Sequence, residues 1–194
     1  MSDQRDLFNV DWSVIPAPSA DGAADHLKGA TIPSVALTAT DGRQIDLGAL
    51  PGRIVVFAYP RTGEPGRVSV VDDWDLIPGA RGCTPQTCSF RDLFAELRQA
   101  GADEVFGLST QSTAYQREMA ERLHLPFAVL SDEELRLTSR LALPTLQVAG
   151  LTLIKRLALI IDDGRITHVF YPVFPPDRNG PDVLAWLQAN PVRG

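Results

Sequence analysis

Cysteine, methionine and histidine are all scarce in this chain, at two, two and three residues in 194. The scarcity excludes a disulfide scaffold and leaves little material for a metal centre. A zinc site needs about four ligands, whereas His26, His124 and His168 lie far apart with no ligand spacing. Long apolar runs are missing too. No stretch approaches the ~20 residues that cross a bilayer. The opening MSDQRDLFNVDWSVIPAPSADGAADHL has acids and prolines where a secretory leader has a basic start and an unbroken apolar run. A cytoplasmic protein without a membrane partner is expected. Nor does charge of one sign dominate. The 24 acidic and 18 basic residues are interspersed, for a net charge of -6, which argues against nucleic acid as a partner.

What is present is a regular alternation of two periodicities. The length suits one sizeable core. Residues 1–30 carry Pro, Gly, Ala and Asp without periodicity, an N-terminal extension expected to lie outside the core, and residues 31–194 are expected to form a single α/β domain. SVALTATDGRQIDL reads as a hairpin turning at Asp41-Gly42, and residues 54–59 as a buried strand. From Arg61 to Gly82 the chain is irregular, with Asp72, Asp73 and Asp75 around Trp74. Unstructured loops longer than about 15 residues are uncommon in compact domains and are more often functional or partner-binding than inert. Phe90, Leu93, Phe94 and Leu97 then recur at helical spacing, closed by Gly101. EVFGLS, STAYQREMAERLHL, PFAVLS and DEELRLTSRLAL follow as strand, helix, strand and helix, the form of βαβ units around a central sheet. Residues 153–170 read as two strands joined at Asp163-Gly164, and PDVLAWLQA as a closing helix.

Both cysteines fall in PGARGCTPQTCSF, residues 78–90, where loop gives way to helix. Thr84 and Pro85 read as an N-cap and first helical residue, which places Cys83 at a helix mouth whose unpaired amides and dipole favour an anion. A thiol with pKa about 8.5 is only a few per cent ionised at pH 7, and such a site is one that makes it a nucleophile. Cys88 follows in the same helix. Ideal geometry separates residues five apart by roughly 8.6 Å between Cα atoms, while a disulfide tolerates about 7 Å at most. The two cannot bond unless the first turns unwind. Ordinary burial accounts for many free cysteines. A phosphatase would need an arginine six residues after its nucleophile, and a thioredoxin dithiol has two residues between its cysteines, not four. Packing and a nucleophile with a resolving partner both stay open on these grounds.

GCTPQTCSFRD, residues 82–92, resembles the peroxidatic segment of the Q-type peroxiredoxins, the bacterioferritin comigratory proteins. AGADEVFGLST and IKRLALIIDDGRITHVF are similar to the family's next strand and to its arginine-bearing strand and hairpin, so that the likeness runs in order over residues 31–190. The resemblance implies a thioredoxin-like fold, with a central mixed sheet flanked by helices and a long inserted loop before the cysteine helix. It implies an antioxidant thiol peroxidase, an oxidoreductase that needs no cofactor and no metal. Hydrogen peroxide and organic hydroperoxides would be its substrates, and a thioredoxin-like or glutaredoxin-like protein its reductant. Cys83 would be the peroxidatic and Cys88 the resolving cysteine of an intramolecular disulfide, with Arg156 facing the thiolate. A monomer or weak homodimer is expected.

The family pattern departs at one place. Its PxxxTxxC motif supplies a threonine hydroxyl three residues before the cysteine, and here the proline and threonine positions hold Leu76 and Ala80. The start of the inserted loop, YPRTG, offers Pro60 and Thr62 instead. Thr62 is therefore expected to contribute the missing hydroxyl. The alternative reading is a redoxin-fold sensor or interaction protein with little turnover, its partner surface on residues 61–82.

Overall fold

The computed structural model of the chain describes residues 10–67 and 69–192. Along the chain run β1 (Ala36–Ala39), β2 (Gln44–Asp46), β3 (Arg53–Ala58), α1 (Cys83–Asp92), α2 (Phe94–Gln99), β4 (Glu104–Ser109), α3 (Thr113–Arg122) and β5 (Val129–Ser131). They are followed by α4 (Arg136–Leu141), β6 (Thr145–Val148), β7 (Leu151–Ile154), β8 (Leu157–Asp162), β9 (Arg165–Phe170) and α5 (Asn179–Ala189). Seven strands make one mixed sheet in the order β2-β1-β5-β4-β3-β8-β9. The inner strands β3, β4 and β5 are parallel, as helical crossovers require, and the remaining neighbours are antiparallel. Among the described residues no helix is long and apolar enough to cross a membrane.

Period-two alternation sorts the side chains of the inner strands onto two faces. Ile54, Val56 and Ala58 join Leu157, Leu159 and Ile161 in one core cluster, which α4 covers with Leu137 and Leu141. Val55, Phe57 and Tyr59 join Ala158 and Ile160 in the other, where Cys83, Cys88 and Phe90 of α1, Met119 of α3 and Leu187 of α5 meet them. Phe57 and Phe90 stack with ring centroids 4.2 Å apart and planes only 6° from parallel. That contact fixes α1 on β3. Burying a side chain of this size stabilises by about 1.5–3 kcal/mol, so the helix bearing both cysteines is anchored on the sheet towards its C-terminal end.

Four expectations need correction. The lead-in does not stay outside the core: Ala24 and Leu27 are buried in it, Gly29 N donates to Ile166 O, and Ala30 O accepts from Ile166 N. Residues 1–9 of that segment lie outside the described residues. The cysteine helix starts at Cys83, with Gly82 rather than Thr84 as its N-cap. The helix up to Gly101 is two helices, parted at Leu93; same-face spacing survives such a break and so does not reveal it. Finally, the first of the two strands expected over residues 153–170 is broken at Lys155-Arg156, and its start belongs to β7, which forms with β6 a hairpin that the sequence does not announce. Its turn, Ala149-Gly150, has both residues at positive φ, a geometry usually signalled by Asn-Gly or Asp-Gly.

Candidate active site

Gly82 sets the start of α1. Its φ of 102° is left-handed, and a Cβ there would come within 2.8 Å of the Trp12 ring and 2.9 Å of Pro176 Cβ. Only glycine fits. Gln86 N donates to Gly82 O at 3.0 Å, the first helical bond. The amides of Cys83 and Thr84 therefore have no intrahelical acceptor and Pro85 has no N–H to satisfy. Cys83 sits at this electropositive end, buried at 4% exposure, with its thiol 3.5 Å from Ala80 O.

Arg156 faces it. Nη2 donates to Cys83 Sγ at 3.4 Å and to the carbonyls of Arg81 at 2.9 Å, Gly79 at 3.2 Å and Ala80 at 3.4 Å. Nη1 donates to Gln86 Oε1, while Nε is buried without a partner. The residue lies in the joint between β7 and β8, in step with Ala158 and Ile160, so its side chain emerges on the α1 face. It is 3% exposed, unlike exposed Arg165 on β9. A solvated strand arginine would look like Arg165.

Gln86 is fully buried and divides its carboxamide between Arg156 and two other partners: Nε2 donates to Asn179 Oδ1 at 2.8 Å and to Ala58 O at 3.3 Å. Cys88, further along α1, is 5% exposed. Burial pushes its thiol up, against the opposing pull of the Arg91 guanidinium. Both cysteines are free thiols.

Above Cys83 opens a cavity of about 430 Å³, walled by Arg61, Thr62, Trp74, Arg81 and Thr84 among others. Residues of the inserted loop thus form much of it. Trp74 belongs to a short 3-10 turn, Trp74–Leu76, and Asp75 pairs with Arg81 at 3.1 Å. Arg61 lies over the Tyr115 ring at 4.9 Å. Thr62 is 1% exposed and is clasped by Gln111: Thr62 N and Oγ1 donate to Gln111 Oε1 at 3.0 and 3.2 Å, and Gln111 Nε2 donates back to Thr62 O at 3.1 Å. Within α1, the Thr87 hydroxyl is committed to Cys83 O at 2.8 Å.

Cys83, Cys88 and Arg156 therefore gather on one face, with Thr62 in the wall of the cavity that opens at Cys83. Gln86, Asn179 and Gln111 were not foreseen. Their types are common on surfaces, and nothing in their spacing marks them as buried.

The Redoxin family model matches residues 27–187. The chain is a redoxin. Among relatives, the peroxiredoxin Bcp of Escherichia coli K12 is 33% identical over 165 residues, spanning 82% of this chain and 94% of that protein. The chloroplastic peroxiredoxin Q of Oryza sativa subsp. japonica is 31% identical over 164 residues, spanning 84% and 67%. The fold superposes on peroxidoxin BcpB from Mycobacterium tuberculosis with a TM-score of 0.67 and 26% identity, covering 86% of this chain and 98% of that one. This redoxin thus stands with the Q-type, Bcp-like peroxiredoxins, and its mixed sheet is the thioredoxin-like one of that group.

Proposed function

We propose that this redoxin is a thiol peroxidase in which Cys83 attacks the peroxide and Cys88 resolves the product. The observation that carries the reading is the Arg156 guanidinium 3.4 Å from Cys83 Sγ, at a helix mouth that opens into the loop-walled cavity. Both features put positive charge where negative charge develops on the attacking sulfur and the departing oxygen. The Cys83 thiolate displaces the far peroxide oxygen, breaking the O–O bond, and keeps the near oxygen as a sulfenic acid. The departing alkoxide or hydroxide takes up a proton. Cys88 then attacks the Cys83 sulfur, and the hydroxyl leaves as water with the Cys88 proton. A thioredoxin-like or glutaredoxin-like dithiol returns the disulfide to two thiols. Hydrogen peroxide and organic hydroperoxides are the substrates in this reading, and a cavity of about 430 Å³ leaves room for the larger ones.

A bound peroxide needs an acceptor as well as donors. Arg156 and the helix amides only donate, whereas the Thr62 hydroxyl, with its proton directed to Gln111, keeps lone pairs to accept. Thr62 takes the place left by Ala80.

Peroxide consumption coupled to thioredoxin and its reductase tests the reading. Sustained turnover is expected. A single turnover that thioredoxin does not restart would favour the sensor reading, which Ala80 in place of the family threonine keeps in view.

A further inference from the structure

Gln86 stands between the two cysteines of α1. Its one side chain ties the helix to the arginine beside Cys83, to the first residue of α5 and to the end of β3. All three ties are buried, with Asn179 at 1% and Arg156 at 3% exposure. The α5 end is packed closely against α1 as well. Gly180 N donates to Ser89 Oγ at 3.1 Å, and the backbones are so close that a Cβ on Gly180 would lie 2.7 Å from Ser89 O.

A helical separation of roughly 8.6 Å exceeds the ~7 Å limit of a disulfide, so residues 83–88 must leave the helix for Cys88 to reach Cys83. Gln86 is inside that segment. Opening breaks its bonds and leaves Arg156 Nη1 and Asn179 Oδ1 short of a partner in a dry interior, which favours the closed helix.

We propose that Gln86 and Asn179 are positioning residues that latch α1: Gln86 holds Arg156 beside Cys83 for peroxide attack, and the Gln86–Asn179 tie sets the rate at which Cys88 resolves the sulfenic acid. This rests on the roles given above to Cys83 and Cys88. Two fates compete for the sulfenic acid. In resolution the S–S bond forms, the S–O bond breaks and water leaves. In over-oxidation a second hydroperoxide donates an oxygen to the sulfur, giving a sulfinic acid and an alcohol, or water from hydrogen peroxide. A closed latch keeps Cys88 away and prolongs exposure to the second fate.

Asn179→Ala removes the α5 end of the latch and leaves the Gln86–Arg156 bond. Rapid-quench mass spectrometry should then show sulfenic acid forming at close to the wild-type rate and the disulfide forming about fivefold faster, the equivalent of one lost neutral hydrogen bond. The sulfinic fraction in excess peroxide should fall in proportion. Asn179→Asp, which keeps an acceptor for Gln86 Nε2, should restore the wild-type partition, a rescue that general loosening of the fold does not produce. Gln86→Ala should speed resolution and also slow oxidation, because Arg156 loses its anchor. A wild-type resolution rate in Asn179→Ala, with sulfenic acid forming normally on Cys83, overturns the latch alone. Sulfenic acid on Cys88 instead overturns both the latch and the roles it rests on.

Discussion

Arg156 Nη2 lies 3.4 Å from Cys83 Sγ although 73 positions separate the two residues. Three loop carbonyls and Gln86 hold the guanidinium there. The cation is preorganised, so little rearrangement is needed when negative charge develops on sulfur or on the departing oxygen.

Arg156→Ala should therefore slow Cys83 oxidation by at least about tenfold, read by stopped flow. Arg156→Lys should recover little of it, because one ammonium cannot replace a fork that serves Gln86 with one nitrogen and the sulfur with the other. A rate near wild type in the alanine variant would return Arg156 to a structural role.

Thr62→Val should lower the oxidation rate by roughly tenfold, the cost of leaving the buried peroxide O–H without its acceptor. Gln111→Leu should act in the same direction by releasing the Thr62 clasp. An unaffected Thr62→Val rate would shift the role to Thr84, since the Thr87 hydroxyl already bonds Cys83 O.

Burial raises the Cys88 pKa. The folded protein keeps this proton at pH values where the unfolded chain, with a thiol near about 8.5, has begun to lose it. The linked stability is complete below about pH 8.5 and is lost as pH rises through the raised folded value. Denaturant midpoints of the reduced protein between pH 7 and 10 should fall for the wild type and fall less for Cys88→Ala. Tyr59, which burial also raises, enters only above the ordinary phenol range of about 10. Parallel curves for the two proteins would contradict this.

Phe90→Ala should cost about 3–5 kcal/mol in chemical denaturation, from lost transfer energy and the cavity left beneath α1. The stacked Phe57 ring loses its partner. A loss under about 1 kcal/mol would mean that α1 collapses onto the gap.

Most of the sheet was legible because its buried strands read as short apolar runs bounded by turn residues. The turn at Asp163-Gly164 marked β8 and β9, and Asp41-Gly42 marked the first hairpin. Where the deciding quantity is a backbone angle, the residues are mute: the break at Leu93, the Gly82 cap and the Ala149-Gly150 turn all depend on φ. Leu27 escaped notice because one buried leucine in a segment of Pro, Gly and Ala makes no pattern. At the site, GCTPQTC identified the cysteines through a resemblance, whereas the burial of Arg156 follows from its seat at the β7–β8 joint. Gln86 and Gln111 act through partners 70 and 49 positions away. Their roles are tertiary, and local spacing does not encode them.

The central claim is that Cys83 reacts with the peroxide and Cys88 follows. The direct measurement treats reduced Cys88→Ser and Cys83→Ser with one equivalent of hydrogen peroxide and a sulfenic-acid trap, and locates the adduct by peptide mass spectrometry. The adduct is predicted on Cys83 in the first variant at the wild-type oxidation rate, with none formed on that timescale in the second. A fast adduct on Cys88 in Cys83→Ser, with Cys83 inert in Cys88→Ser, would contradict the account and reverse the two roles.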